Sequence, residues 1–344
     1  MLTRRTVLAG LGAGATLAAT GSRLAMAEDK QIVFTSWGGT TQDAQKAAWA
    51  EPFTAQTGIK VLQDGPTDYG KLKAMIDSGN VTWDVVDVEE DFGTYAGNAG
   101  WLEPLDFSII KKDDLDPRFV TDYCVGSFYA VYVLGFNKAT YASKAPETWA
   151  DMFDTAAFPG KRTFYKWSAP GNIEIPLLAD GVTPDKLYPL DLDRAFKKLD
   201  SIKKDIVWWG SGAQSQQLYA SGEVPIGMFW NGRLHALQQS GTDVGISWKQ
   251  NITASDLLVV PKGVKNKQAS MQFIALASSP EGQAKMAQLS GYAPTNLKSE
   301  DMLDQATRDS LPDHYKSDNV PVSIQYWAEH RDEIAKRWYA WQAD

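Results

Sequence analysis

The chain predicts an α/β fold of two lobes, each a mainly parallel sheet flanked by helices, joined by two crossing strands. Three observations carry this. Short apolar strands alternate with helices through the first hundred residues, the order that calls for a parallel sheet covered on both faces. Two longer apolar runs, 128–138 and 254–262, bracket a second, self-contained α/β stretch. The 344 residues, 44% of them hydrophobic and 13 of them tryptophan, suffice for two cores.

The first strand, residues 31–35, hands over through "SWGGTTQDA" to a helix over 41–56, where Ala44, Ala47, Ala48 and Phe53 recur at helical spacing. Gly38 and Gly39 let the backbone turn without Cβ clashes. The ring of Trp37 is then left at the carboxyl end of the strand, where open α/β sheets bind ligands. The alternative is that Trp37 covers the edge of the sheet. The same turn aims a helix N-terminus, whose free N–H groups favour an anion, at that place. A strand at 59–62 and a helix at 69–78 follow, the helix opening after "GPTD". "TWDVVDVEED" is a short buried strand on Val85 and Val86 that ends in Glu89, Glu90 and Asp91. A helix stopped by Gly100 and a Pro-marked turn lead to the first crossing strand, 128–138.

The second α/β stretch contains "FPGKRTFYKWSAPG", a charged helix at 192–204, and a strand in "SGEVPIGMFWNGR". The chain returns along 254–262 and resumes helical periodicity at 267–277 and 280–289. This gives lobe one as residues 28–133 plus 258–304 and lobe two as 134–257 plus 305–344. Two strands crossing between lobes make a hinge, and the cleft beside it is the natural ligand site.

The N-terminus points to export. Arg4 and Arg5 stand before a mildly apolar run, and Ala25-Met26-Ala27 is a small-x-small cleavage signal. Paired arginines in that setting read as a twin-arginine signal over residues 1–27, and the run is too short to span a bilayer. The signal carries three arginines and no acid, so the remainder has 31 basic against 42 acidic residues, a net −11. Such a charge disfavours nucleic acid as a partner and favours a soluble periplasmic chain, here expected to be a monomer. The single cysteine, Cys124, excludes an internal disulfide and is expected to be buried and inert.

Enzymatic signatures are missing. There is no HExxH, GxxxxGK[ST], GxSxG or CxxC, and the glycines of 10–14 lie inside the export signal. The three histidines are scattered, so neither a metal site nor a cofactor is expected. A Cys124-based secreted enzyme is the reading from another class. A ferric-ion-binding protein is a third, weakened because Tyr129 and Tyr132, three apart on a strand, face opposite sides.

The export signal, "SWGG", "WDVVDV", "GEVPIGMFWNGR", the long run from "SDLLVVPKGVKNK" to "GYAPTN" and the terminal "RWYAWQ" resemble the periplasmic substrate-binding proteins of ABC importers. Within these the chain is similar to the spermidine/putrescine-binding group. The resemblance implies a periplasmic-binding-protein fold that closes on a solute and delivers it to a membrane permease. It implies that Trp37 packs on the ligand's methylenes, that Trp230 is a second aromatic wall and that Tyr292 lines the pocket. It also implies that Asp256 and, with looser alignment, Glu174 pair with ligand ammonium groups. The group's pattern is broken at Ala254, where an aromatic is usual, and at Gly171, where an acid is usual. Glu89 and Asp91 stand where a hydroxyl and an aromatic are usual.

An alkyl diamine needs spaced carboxylates and aromatic faces, each well-placed ring contributing about 0.5–2 kcal/mol of cation–π attraction. Acids in a closed cleft would have raised pKa values until the cation arrives. The expected ligand is therefore a small organic cation such as putrescine or spermidine. The alternative is a zwitterion such as γ-aminobutyrate, its ammonium on Asp256 and its carboxylate at the Gly38 turn or on Arg233, a residue that could equally form a structural ion pair.

Overall fold

The computed structural model describes residues 31–344; the export signal of 1–27 lies outside the described residues. Ten strands alternate with helices: β1 (Gln31–Thr35), β2 (Lys60–Asp64), β3 (Val85–Glu89), β4 (Cys124–Phe128), β5 (Val131–Asn137), β6 (Arg162–Tyr165), β7 (Ile206–Trp209), β8 (Ile226–Trp230), β9 (Val244–Thr253) and β10 (Asp256–Val259). They form two five-stranded sheets, β2-β1-β3-β10-β4 and β7-β6-β8-β5-β9. Each sheet is parallel where β–α–β units build it, and antiparallel where the crossing strands β10 and β5 enter it.

The change of sheet is abrupt. Only Tyr129 and Ala130 separate β4 from β5, and only Ala254 and Ser255 separate β9 from β10. The two connections lie side by side, the Ala254 N–H donating to the Ala130 carbonyl at 2.9 Å. The lobes therefore exchange at 129–130 and 254–255, a few residues earlier than sequence periodicity places the boundaries. The apolar run 128–138 is not one strand but the end of one sheet and the start of the other.

The helices form where caps and periodicity demand. In Tyr69–Ser78 the Asp68 carboxylate accepts from Lys71 N–H at 2.8 Å, and Gly79 closes the helix in the left-handed region. The C-terminal helix, Ile324–Ala343, is anchored on lobe two. Trp338 is fully buried and its indole donates to the Lys166 carbonyl at 2.8 Å. It also packs along Glu90–Asn98 of lobe one, where Arg331 pairs with Asp91. The terminal segment thus touches both lobes, not lobe two alone.

Candidate ligand-binding site

The register of the first sheet sets the chemistry. Asp256 on β10 lies opposite Glu89 and Leu258 opposite Asp87, so Asp87, Glu89 and Asp256 share one face of the sheet. All three are buried. Desolvation pushes Asp256 well above the usual carboxylate range, the charges of Asp87 and Glu89 push it further, and Trp37 and Arg233 oppose the rise. Asp87 is also raised by burial, although Gln45 and Ser36 donate to it at 2.5 and 3.0 Å. Glu89 accepts from the Tyr69 hydroxyl at 3.0 Å; burial raises it and Arg331 partly offsets this.

Arg233 comes from the other lobe, on the helix Asn231–Gln239 that follows β8. It is 1% exposed and reaches across the cleft, donating to Thr40 Oγ1 at 3.2 Å and to the Gly38 carbonyl at 3.3 Å. Both acceptors are neutral, its Nε–H has no partner, and among the described residues no carboxylate forms a salt bridge with it. Two glycines make the approach possible. Gly38 holds φ +72° and presents its carbonyl, while a Cβ on Gly212 would lie 2.1 Å from Arg233 Nε.

Around these groups stands an aromatic cage. Trp37 lies 6.1 Å from Tyr69 and 6.4 Å from Trp230, centroid to centroid. Tyr132, Tyr165 and Trp209 hold the Trp230 ring, and Tyr292 stacks on Phe128 at 4.3 Å. Trp37, Thr41, Phe128, Trp230, Arg233, Asp256 and Tyr292 line one small cavity between the lobes, with Ala130 and Ala254 of the crossings in its wall. Gly38 sits at its rim as the acceptor for Arg233. A second small cavity shares Trp230 and Ala254 with the first and is lined also by Glu89, Glu90 and Asp91.

Of the nine residues selected from sequence, Trp37, Trp230, Arg233, Asp256 and Tyr292 therefore meet at one cavity, Gly38 supports it, and Glu89 and Asp91 face its neighbour. Glu174 lines neither. Its carboxylate accepts from Gly171 N–H at 2.8 Å, the Tyr188 hydroxyl at 2.6 Å and the Trp327 indole at 2.7 Å, so it is fully engaged inside lobe two. Asp91, fully buried, holds Arg331. Sequence reasoning missed Tyr69, Thr41, Phe128, Tyr132 and Tyr165, which read as ordinary strand or helix residues. Arg331 was missed too, since only the docking of the last helix brings it near. Cys124 is fully buried and its thiol is pushed up to about 12, which removes it as a nucleophile.

This arrangement fits what comparison shows. Residues 48–318 match the model of the bacterial extracellular solute-binding protein family. The chain is 32% identical to the gamma-aminobutyric acid-binding protein of Pseudomonas aeruginosa strain PAO1, over 93% of both chains. It is 25% identical to the spermidine/putrescine-binding periplasmic protein of Escherichia coli K12, over 74% of this chain and 75% of that one. Among solved structures, that of the Atu4243–GABA receptor is 66% identical with a TM-score of 0.84, covering 91% of this chain and 97% of that chain. The chain belongs to the bacterial extracellular solute-binding protein family: it is a periplasmic receptor of an ABC transporter, not an enzyme. No helix among the described residues is long and apolar enough to cross a membrane.

Proposed function

We propose that this receptor captures a short zwitterionic ω-amino acid of the γ-aminobutyrate class and delivers it to its permease. The observation that carries the reading is one cavity lined by both Arg233 and the buried Asp256, neither of which forms a salt bridge among the described residues. A carboxylate on Arg233 gains a charge-assisted bond to a donor already positioned by Gly38 and Thr40. An ammonium on Asp256 would favour the ionised carboxylate that burial disfavours, and the surrounding indole and phenol faces attract the cation. The γ-aminobutyrate-binding relatives support this class.

A linear polyamine fits less well. It would bring ammonium groups beside Arg233, and Glu174, one of the acids it would call on, is already engaged. Calorimetric titration of the chain from residue 28 with γ-aminobutyrate, putrescine and spermidine is the test. Binding of γ-aminobutyrate at least tenfold tighter than either polyamine is expected; the opposite order would overturn the reading.

A further inference from the structure

The second cavity has its own unmet chemistry. Ser255, Glu90 and Asp91 line it, and their Oγ, Oε2 and Oδ1 atoms are each buried with no hydrogen-bond partner among the described residues. Ser255 is 2% exposed and Asp91 fully buried. The other Asp91 oxygen is held by Arg331, and Glu89 beside it accepts from Tyr69. A buried polar atom left unpaired is costly. Three of them at one cavity describe a place for a group that donates in several directions at once. Trp230 and Ala254 belong to the walls of both cavities, so the two spaces lie side by side.

An ammonium on a flexible chain offers three donors around a point. A guanidinium offers five in a plane, spread widely enough to reach acceptors on different residues, and it stacks on an indole face. We propose that this cavity is a second subsite that takes the guanidinium of an ω-guanidino acid whose carboxylate remains on Arg233. Glu90, pushed up to about 8 by burial, stays protonated until such a cation arrives, which agrees with the assignment. The proposal rests on the zwitterion reading of the first cavity and widens it to a second ligand class.

The test uses γ-aminobutyrate, 4-guanidinobutyrate and 4-ureidobutyrate, the last keeping the planar shape without the charge. Calorimetry on the chain from residue 28 should place the guanidino acid within tenfold of γ-aminobutyrate and at least tenfold tighter than the ureido acid. Glu90→Gln and Ser255→Ala, each checked for folding by circular dichroism, should each weaken the guanidino acid about tenfold and change γ-aminobutyrate less than threefold. Equal affinity for the guanidino and ureido acids would overturn the subsite and assign the acceptors to water. So would a guanidino acid unaffected by both variants. Loss of the guanidino acid with γ-aminobutyrate still bound removes the subsite alone. Failure of γ-aminobutyrate itself removes the zwitterion reading and the subsite with it.

Discussion

Two arginines cross between the lobes, and they do opposite work. Arg331 extends from the C-terminal helix to Asp91, a fully buried carboxylate, over the rings of Tyr69 and Phe92. Arg233 extends from lobe two to a hydroxyl and a backbone carbonyl, with one N–H left over. The first cation is neutralised inside the protein and has nothing to offer an incoming anion. The second is positioned but not neutralised, and it is the one that lines the central cavity. Burial alone does not separate structural charge from recognition charge. The partner does. The carboxylates differ in a related way: Glu174 accepts from three donors inside lobe two, while Asp256 lines the central cavity with Arg233.

If this contrast is right, the largest effect comes from breaking the saturated pair. Arg331→Met leaves Asp91 buried and uncompensated and should cost about 3–5 kcal/mol of stability, read by denaturant unfolding. A change below 1 kcal/mol would mean that Asp91 finds water or a new partner. At the open pair, Asp256→Asn and Arg233→Met should each weaken γ-aminobutyrate by about 2–5 kcal/mol in calorimetry. Neither should lower stability as Arg331→Met does. Asp256→Asn should reduce stability least, since burial and the charges of Asp87 and Glu89 already disfavour the ionised carboxylate. Unchanged affinity in Asp256→Asn would end its role as ammonium partner.

Trp37→Ala removes packing and cation–π contact but no ion pair, so a smaller loss of about 1–3 kcal/mol in binding is expected. A loss equal to that of Asp256→Asn would mean that the indole positions the carboxylate itself. A further effect is on pH dependence. Glu90 holds its proton to about 8 in the folded chain, whereas the unfolded chain releases it in the ordinary carboxylate range. Between those values the native state binds more protons than the unfolded state, so stability falls as pH rises from about 5 to about 8. One such group contributes at most about 1.4 kcal/mol per pH unit. Glu90→Gln should flatten the slope of melting temperature against pH over that window, and an unaltered slope would assign it to Asp87 and Asp256.

Much of the scaffold was legible because its signals are local. The helices Tyr69–Ser78 and Lys267–Ala277 fall where caps and apolar spacing place them. The break between β4 and β5 was not, because the chain passes from one sheet to the other without a turn and stays apolar throughout. The strand Val244–Thr253 alternates too weakly to announce itself and is held by pairing with β5. At the site, Trp37 and Asp256 were found because one stands on a glycine turn and the other in a motif shared with relatives. Glu174 looked equivalent to Asp256 in sequence. Its saturation depends on Trp327, 153 residues away, which only tertiary packing reveals.

The last helix has a mechanical consequence. The lobes are tied by the two strand crossings at 129–130 and 254–255, by the segment that leads from lobe one into this helix, and by the contacts of the helix itself. Trp327 and Trp338 fix it to lobe two, and Arg331 fixes it to lobe one. A cleft that opens about the two connections must pull Arg331 from Asp91, or carry the helix with lobe one and pull Trp327 from Glu174. Either route puts a toll on opening that the solute itself does not set. The helix is therefore a latch on residence time: loosening it at Arg331 shortens how long a captured molecule stays, even where every group that touches the molecule is intact.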